Sequence, residues 1–202
     1  MITPIDKLMD LHYTQRWTLV GTNKESTVAS HSFNVAMIAM DIRKRMFNTS
    51  DASEMEVCFF ALIHDVKETY TGDMPTPTKA RIKEEGVDVN ALDFGFGDEL
   101  EPSKKIKSII KAADLIENYL FIKGHGTGTR ATVAKDEVGE RLSKFLSESA
   151  DDLQKAAADT MAYILHRRSD DSEERKRIEE ERKTRNLFSQ QLAVTRVVGR
   201  ES

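Results

Sequence analysis

Residues 61–73 read ALIHDVKETYTGD, and the rest of the chain is best understood from this stretch. It follows an apolar run and concentrates four chemically versatile side chains within ten residues: His64, Asp65, Glu68 and Asp73. His64 continues the helical spacing of the apolar residues before it, and Glu68 lies one turn further along the same face. An imidazole next to a carboxylate at the buried end of a helix can share one metal ion. Because isolated His-Asp pairs are also common in proteins without a metal, this prediction depends on what else converges here.

The composition is typical of a globular protein rather than a disordered or membrane-spanning one. The 202 residues are 39% hydrophobic and 32% charged, which suits one domain with room for an extension. No apolar run approaches the length of a membrane span, and the N-terminus lacks a secretory signal. The single cysteine, Cys58, excludes an internal disulfide and fits a reducing compartment. The net charge of −4 argues against general nucleic-acid binding. We therefore expect a cytoplasmic protein with neither a membrane nor a nucleic acid as partner.

The spacing of apolar residues predicts helices along the chain, and no segment shows the alternation of an amphipathic strand. The fold class predicted is therefore all-α. A cap at Asp51 or Ser53 is expected to open the helix that delivers His64. The other helices are predicted at residues 2–16, 28–47, 79–85, from 101–103 onward, and from about 132 to 166 with a break near 147–149.

The connections between these helices carry their own signals. Pro75 and Pro77 predict an extended, stiff segment after Gly72. Residues 86–97 are interpreted as an irregular loop. The glycine-rich segment 124–128 follows a helix rather than a strand, so it fails the context of a phosphate-binding loop and is interpreted as a flexible connector.

The chain is expected to divide into a domain of residues 1–166 and a charged helical extension of residues 167–202. Opposite charges in the extension recur at a spacing of four residues, which is typical of a solvated helix. The final part, from Leu187 onward, is apolar enough to dock on the domain or on a neighbouring subunit. A homo-oligomer is therefore a possible arrangement.

Two further metal-competent side chains lie on the long apolar stripes of other helices. His31 opens the stripe of helix 28–47, and Asp114 lies at the edge of the stripe that follows residue 103. Each has an ordinary explanation as well, since a core histidine is usually just hydrogen-bonded and Asp114 lies one turn from Lys111. Together with His64 and Asp65 they provide two imidazoles and two carboxylates, a set that suits a divalent transition ion with positions left for water. We therefore predict that three helices meet at one metal ion in the bundle centre.

At this level of detail the chain resembles the HD-domain phosphohydrolases, and specifically the YfbR-type 5′-deoxynucleotidases. The resemblance runs over residues 5–165 and rests on the order His…His-Asp…Asp and on four motifs. These are Arg16-Trp17, His31-Ser32, the run HDxxExxTGDxPTPxK from His64 to Lys79, and Lys111-x-Ala113-Asp114. The long run is much more specific than the HD pair alone. The resemblance implies an HD-domain helical bundle with a metal site in its core.

The resemblance also implies roles for individual residues. The implied ligands of one divalent ion (Co, Mn, Fe, Zn or Mg) are His31, His64, Asp65 and Asp114. Asp65 and Glu68 are the implied catalytic carboxylates, with Glu68 as the acid/base near the scissile bond. The implied substrate-binding residues are Arg16 for phosphate, Trp17 for the base, Asp73 for the deoxyribose around its 3′-hydroxyl, and Pro77, Lys79 and Lys111. One departure is visible, because the family often has an acid before the first ligand histidine, where this chain has Ser30.

The activity implied is metal-dependent hydrolysis of a deoxynucleoside 5′-phosphate at the α-phosphorus. A 5′-deoxynucleotidase, which releases phosphate from a deoxynucleoside monophosphate, is the first expectation. The alternative is a dATP or dNTP triphosphohydrolase, which releases triphosphate, as in phage nucleotide metabolism. A non-catalytic nucleotide-binding sensor is a third possibility, but such a protein is expected to lose some of these residues, and this chain has all of them.

Overall fold

The computed structural model describes residues 5–46, 53–87 and 101–167, together with residues 172 and 176. Within these residues the assigned helices are α1 (Ile5–Asp10), α2 (Val28–Arg45), α3 (Glu54–Ile63), α4 (Glu68–Thr71), α5 (Thr76–Glu84), α6 (Lys104–His125) and α7 (Gly128–Ser147). The β-structure among these residues consists of two isolated β-bridges and no strand, so the all-α prediction is confirmed. No helix among the described residues is long and apolar enough to cross a membrane.

The chain divides into two compact units, Met1–Thr160 and Met161–Ser202. The first unit contains α1 to α7 and a further helical stretch at residues 151–160. In the second unit, residues 161–167 are helical. Most of the predicted extension, including the apolar stretch from Leu187, lies outside the described residues, as does the predicted loop after Val87. The boundary at residue 166 and the extension therefore stay predictions.

Helices α2, α3 and α6 pack against one another and form the core of the first unit. The predicted stripes are confirmed, because Val35 and Ile42 on α2 and Ile109 and Ile116 on α6 are completely buried. Each fully buried aliphatic side chain of this size contributes about 1.5–3 kcal/mol. The pairing of α2 with α6 matters for function because His31 and Asp114 lie on the faces that meet.

Local signals set the ends of the helices that carry the HD pair. Ser53 and Glu56 form a capping box at the start of α3, so that Ser53 is the cap of the two predicted candidates. Helix α3 ends at Ile63, and residues 64–67 form a turn before the single turn of α4. Gly72 then ends α4 with a φ of 69°, a conformation that favours glycine. His64 and Asp65 therefore lie in a turn at the end of a buried helix rather than inside a continuous one.

Three helix boundaries differ from the predictions. The first helix ends at Asp10 rather than residue 16, because the backbone from residue 11 onward forms hydrogen bonds with the segment around the start of α2. Leu11 O accepts from Ala29 N–H, and Arg16 N–H donates to Ser26 O. Helix α5 starts at Thr76, so Pro75 is extended but Pro77 is helical. The prediction of an extended Pro77 was wrong because the first turn of a helix accepts proline: the N–H that proline lacks would be unpaired there anyway. The last of these helices, α7, starts at Gly128 rather than near residue 132, and the predicted break after residue 147 is confirmed.

The glycine-rich segment 124–128 contains the end of α6 and the start of α7, joined by a tight turn at residues 126–127, and is not the flexible connector that we predicted. Thr127 N–H donates to Gly21 O, and Asn23 N–H donates to His125 O, so the turn is bonded to the loop after Trp17. A Cβ on Gly126 would lie 2.6 Å from Ile122 O and 2.8 Å from Ala131 Cβ. The glycine is needed because the start of α7 packs closely on the end of α6.

We therefore expect Gly126→Ala to lower the free energy of unfolding by roughly 1–3 kcal/mol, the usual effect of overpacking. Gly139→Ala is the matched control, because its Cβ would meet only the Tyr119 ring at 3.4 Å and alanine favours a helix interior. Urea denaturation of both variants measures the difference. Equal stability of the two variants would show that the turn can relax without loss.

Candidate functional site

The structure brings the predicted metal ligands together from three elements. His31 lies in the first turn of α2, His64 and Asp65 lie after α3, and Asp114 lies near the middle of α6. The Asp65 Oδ2 atom is 3.3 Å from His64 Nε2 and 3.6 Å from His31 Nε2. His31 Nε2 is also 3.4 Å from Asp114 Oδ1. Residues up to 83 positions apart in the sequence thus share one small site.

Two buried imidazole nitrogens in this site have no hydrogen-bond partner among the residues that the structure describes. His31 Nδ1 lies 2.7 Å from Glu117 Oε2 and His64 Nδ1 lies 2.7 Å from Ala61 O, while neither Nε2 atom is hydrogen-bonded. One ligand atom from each of His31, His64 and Asp65 lies within 4.8 Å of the others. Unpartnered buried nitrogens facing a carboxylate are costly unless a cation lies between them. The residues therefore fit a divalent metal ion, with imidazole and carboxylate donors.

The carboxylates around the two histidines favour a positive charge at the site, either a proton on the imidazoles or a bound cation. Burial and the Arg16 guanidinium oppose protonation of His31, but the carboxylates of Asp114 and Glu117 outweigh them and raise its pKa to about 9. For His64, burial is likewise outweighed by the Asp65 carboxylate, so that its pKa is also raised. The pKa of Asp65 is lowered, because the two imidazoles and Arg16 overcome the effect of burial.

Asp114 is the fourth predicted ligand, and both of its oxygens have partners. Lys111 Nζ donates to Oδ2 at 2.8 Å, and Asn118 Nδ2 donates to Oδ1 at 2.7 Å. Burial opposes ionisation, but His31 and Lys111 outweigh it and hold the Asp114 pKa well below its ordinary value. Asp114 is therefore an oriented carboxylate at the edge of the compact group formed by the other three.

Glu117 is a site residue that sequence reasoning missed. It is 5% exposed, and its two oxygens are bonded to α2, one to His31 and the other to Asn34 Nδ2 at 3.2 Å. The signal was its position one turn after Asp114, on the same face of α6. The departure at Ser30 is explained locally, because the Ser30 side chain forms a capping box with Thr27 at the start of α2.

Glu68 lies beside this group in an environment that favours its neutral form. Its side chain is 7% exposed, and Oε1 accepts from Lys79 Nζ at 3.1 Å. The other oxygen, Oε2, is buried and has no hydrogen-bond partner in the described part of the chain. Burial, followed by the charges of Asp65 and Asp73, raises the pKa of Glu68 to about 7, although Lys79 and Arg16 act in the opposite direction. A carboxyl with this pKa can give or take a proton at neutral pH.

Arg16 is enclosed by the acids of the site. Its Nη1 is 3.2 Å from Asp65 Oδ2, and its Nη2 donates to Asn118 Oδ1 at 2.8 Å. The Asn118 amide, which sequence reasoning also missed, thereby joins Arg16 to Asp114. Arg16 stays charged, because the surrounding carboxylates outweigh its burial and raise its pKa. A permanent cation with a planar set of donors lies directly beside the candidate metal ligands.

Trp17 has an unusual backbone that the site holds in place. Its φ of 60° is costly for a bulky residue. Its N–H donates to Asp73 Oδ2 at 3.3 Å, and its ring is stacked on Phe121 at 6.1 Å between centroids. The indole Nε1 is buried, and none of the described residues forms a hydrogen bond with it. Asp73 and Trp17 thus form a wall next to Arg16, whose Nη1 is 3.9 Å from Asp73 Oδ1.

The remaining predicted substrate residues occupy different positions. Lys79 and Lys111 each pair with a carboxylate of the site, Glu68 and Asp114 respectively. Pro77 is exposed in the first turn of α5. Their predicted contacts with substrate stay predictions.

Comparison with known proteins identifies the family to which the chain is similar. The family model described as 5′-deoxynucleotidase YfbR-like matches residues 5–88. A dATP triphosphohydrolase of Salmonella phage PMBT28 is 32% identical over 158 residues, which are 74% of this chain and 80% of that protein. The 5′-deoxynucleotidase PM0747 of Pasteurella multocida is 28% identical over 131 residues, which are 54% of this chain and 67% of that protein.

A solved structure shares the fold. It is the cyanophage S-2L HD phosphohydrolase DatZ, bound to dA and one catalytic Zn²⁺ ion, with a TM-score of 0.70 and 24% identity. The likeness covers 83% of this chain and 99% of that chain. The solved structure shows the shared fold, and the phage relative and the family model show that the chain belongs to the YfbR-like HD-domain deoxynucleotide phosphohydrolases.

Proposed function

We propose that this chain is a dATP triphosphohydrolase, which hydrolyses the nucleotide at the α-phosphorus to deoxyadenosine and triphosphate. The observation that best supports a hydrolytic activity is the group of His31, His64 and Asp65, whose ligand atoms lie within 4.8 Å of one another. The buried carboxyl of Glu68 lies next to this group. Arg16 adds a fixed cation at the same place. A site with acid, cation and metal-competent groups suits phosphate-ester hydrolysis.

The share of this chain that each relative matches favours a triphosphate substrate over a monophosphate. The phage dATP triphosphohydrolase matches 74% of the chain, whereas the Pasteurella 5′-deoxynucleotidase matches 54%. The 5′-deoxynucleotidase placed first by the sequence is kept as a second candidate, because the matching family model carries that description. The non-catalytic sensor is disfavoured because Glu68 and the four candidate ligands are all present.

We propose that His31, His64, Asp65 and Asp114 hold the divalent ion. Two imidazoles and two carboxylates favour a transition ion such as Mn²⁺, Fe²⁺, Co²⁺ or Zn²⁺ over Mg²⁺. When bound, the ion supplies Lewis acidity and neutralises phosphate charge. The Zn²⁺ of DatZ supports a trial of zinc first.

The chain's own residues supply the proton and the positioning. Glu68 in its neutral form gives a proton to the 5′-oxygen as water attacks phosphorus and the P–O5′ bond breaks, and the proton released by the attacking water then restores the neutral form of Glu68. Arg16 neutralises charge that develops on the phosphoryl oxygens. Asp73 and Trp17 hold the sugar and the base, while Lys79 and Lys111 exchange their carboxylate partners for the outer phosphates.

Product analysis with dATP and dAMP side by side tests this proposal. With added Mn²⁺, Co²⁺ or Zn²⁺ we expect triphosphate from dATP, no phosphate from dAMP, and no product in excess chelator. An Asp65→Asn preparation, purified in parallel, controls for contaminating phosphatases. Phosphate from dAMP with dATP untouched would instead establish the 5′-deoxynucleotidase, and inactivity on both nucleotides would favour the sensor.

We also propose that the protein acts in the cytoplasm without a nucleic-acid partner, as the single cysteine and the net charge of −4 suggest. A homo-oligomer stays a prediction, because the apolar stretch that suggested it lies outside the described residues. Light scattering on the purified full chain measures the oligomeric state.

A further inference from the structure

A hydrogen-bonded chain of three side chains lies behind the candidate metal site. His31 is completely buried, and its Nδ1 is 2.7 Å from Glu117 Oε2. The other oxygen, Oε1, accepts from Asn34 Nδ2 at 3.2 Å. His31 and Asn34 are three residues apart on α2, so both can face the Glu117 carboxylate on α6. Nothing in the proposed hydrolysis requires Glu117 to touch the substrate.

Burying a carboxylate here has a clear physical consequence. Both Glu117 oxygens are paired, so the usual penalty for a buried charge is offset by hydrogen bonds. With Nδ1–H directed at Glu117, the neutral imidazole that binds a metal ion has its lone pair on Nε2, the atom that faces Asp65 and Asp114. The carboxylate thus selects both the tautomer and the direction of the ring.

The two histidines of the site are supported in different ways. His64 directs its Nδ1 to a neutral backbone oxygen, that of Ala61. His31 directs its Nδ1 to an ionised side chain, which makes the imidazole a more basic ligand than a carbonyl partner does. Of the two histidines, only His31 has a charged side chain as the partner of its Nδ1, and that side chain comes from the contact between α2 and α6.

We propose that Glu117, held by Asn34, is a positioning residue that orients His31 for the divalent ion and strengthens its Nε2 as a ligand. The proposal rests on the metal site of the proposed function but not on the nature of the substrate. Removing such a support usually lowers metal affinity by about 10- to 100-fold. Because Glu117 acts through His31, the loss belongs to metal binding and not to the chemical step.

Titration of the full-length protein with Co²⁺ tests the proposal without substrate. Calorimetry gives the affinity, and the visible absorption of bound Co²⁺ reports the ligand geometry. Glu117→Gln keeps an acceptor without the charge, and Glu117→Leu removes both. We expect affinity to fall in the order wild type, Glu117→Gln, Glu117→Leu, with a changed Co²⁺ spectrum in the leucine variant. The matched control is Glu137→Gln, an exposed glutamate on α7, which should bind Co²⁺ as the wild type does.

Turnover separates positioning from direct catalysis. At saturating metal we expect Glu117→Gln to regain most of the wild-type kcat, whereas a catalytic carboxyl would not be rescued. Asn34→Ala serves as a second variant, with a loss of a few-fold in affinity, in case the position-117 variants fold poorly. Wild-type Co²⁺ affinity in the folded variants would overturn the proposal. Since Co²⁺ binding is measured without nucleotide, failure of the proposed dATP hydrolysis would be recognised separately.

Discussion

Asp65→Asn should abolish metal binding and nucleotide hydrolysis together. Asp65 Oδ2 lies 3.3 Å from one unpartnered imidazole nitrogen and 3.6 Å from the other, and 3.2 Å from Arg16 Nη1. The carboxylate is therefore the common partner of the two candidate ligand histidines and of Arg16. An amide has nearly the same shape but carries no charge, so it removes the negative charge that the two histidines and Arg16 share.

The measurement is paired: Co²⁺ titration and dATP hydrolysis on the same preparation. We expect no Co²⁺ binding at micromolar metal and turnover at the level of the buffer. Asp136→Asn, at an exposed position on α7, is the matched control and should match the wild type in both assays. An Asp65→Asn protein that still hydrolyses dATP in chelator would refute the assignment of the site.

Glu68→Gln should lower kcat by roughly 10²- to 10⁴-fold, the usual contribution of a general acid or base. Glutamine fills the same space but cannot give a proton to the leaving oxygen. Metal affinity should change far less than in Asp65→Asn, because Glu68 lies outside the group of candidate ligands. A variant that loses metal affinity and activity equally would instead make Glu68 a ligand.

The same substitution should stabilise the protein in chelator at alkaline pH. The pKa of Glu68 is raised from its ordinary 4.5 to about 7, mainly by burial. The folded state therefore binds this proton more tightly than the unfolded state, so the free energy of unfolding falls as pH rises from 4.5 to 7. Glutamine avoids that loss. We expect a gain of roughly 1–3 kcal/mol above pH 7, reduced somewhat by the lost pair with Lys79, and little gain near pH 4.5.

Urea denaturation at pH 8 and pH 5, with chelator present, measures the gain and its pH dependence. Glu137→Gln again controls for the removal of a carboxylate from an exposed position. If Glu68→Gln were no more stable than the wild type at pH 8, the buried carboxyl would not be under electrostatic strain. A gain in stability with a loss of turnover would mean that the fold tolerates an unfavourable charge because catalysis needs it.

Local sequence patterns were sufficient to predict much of the fold and the candidate metal ligands. The apolar stripes predicted α2 and α6 because a helix of 3.6 residues per turn must bury one face, and both stripes are buried in the structure. Ser53 was recognisable as a cap for the same kind of local reason. The four candidate ligands were identified by residue type, since imidazoles and carboxylates on core stripes are rarely placed without a partner.

The partners of those residues were decided only when the helices packed. Glu117 lies 86 positions from His31, and Asn118 lies 102 positions from Arg16, distances over which sequence spacing carries no geometric information. The early end of α1 and the tight turn at Gly126 likewise depend on bonds to distant segments. Helical periodicity is a property of neighbouring residues, so the sequence determined which faces are buried. The choice of partner across the α2–α6 contact depends on how two faces meet, and only the tertiary structure supplies that.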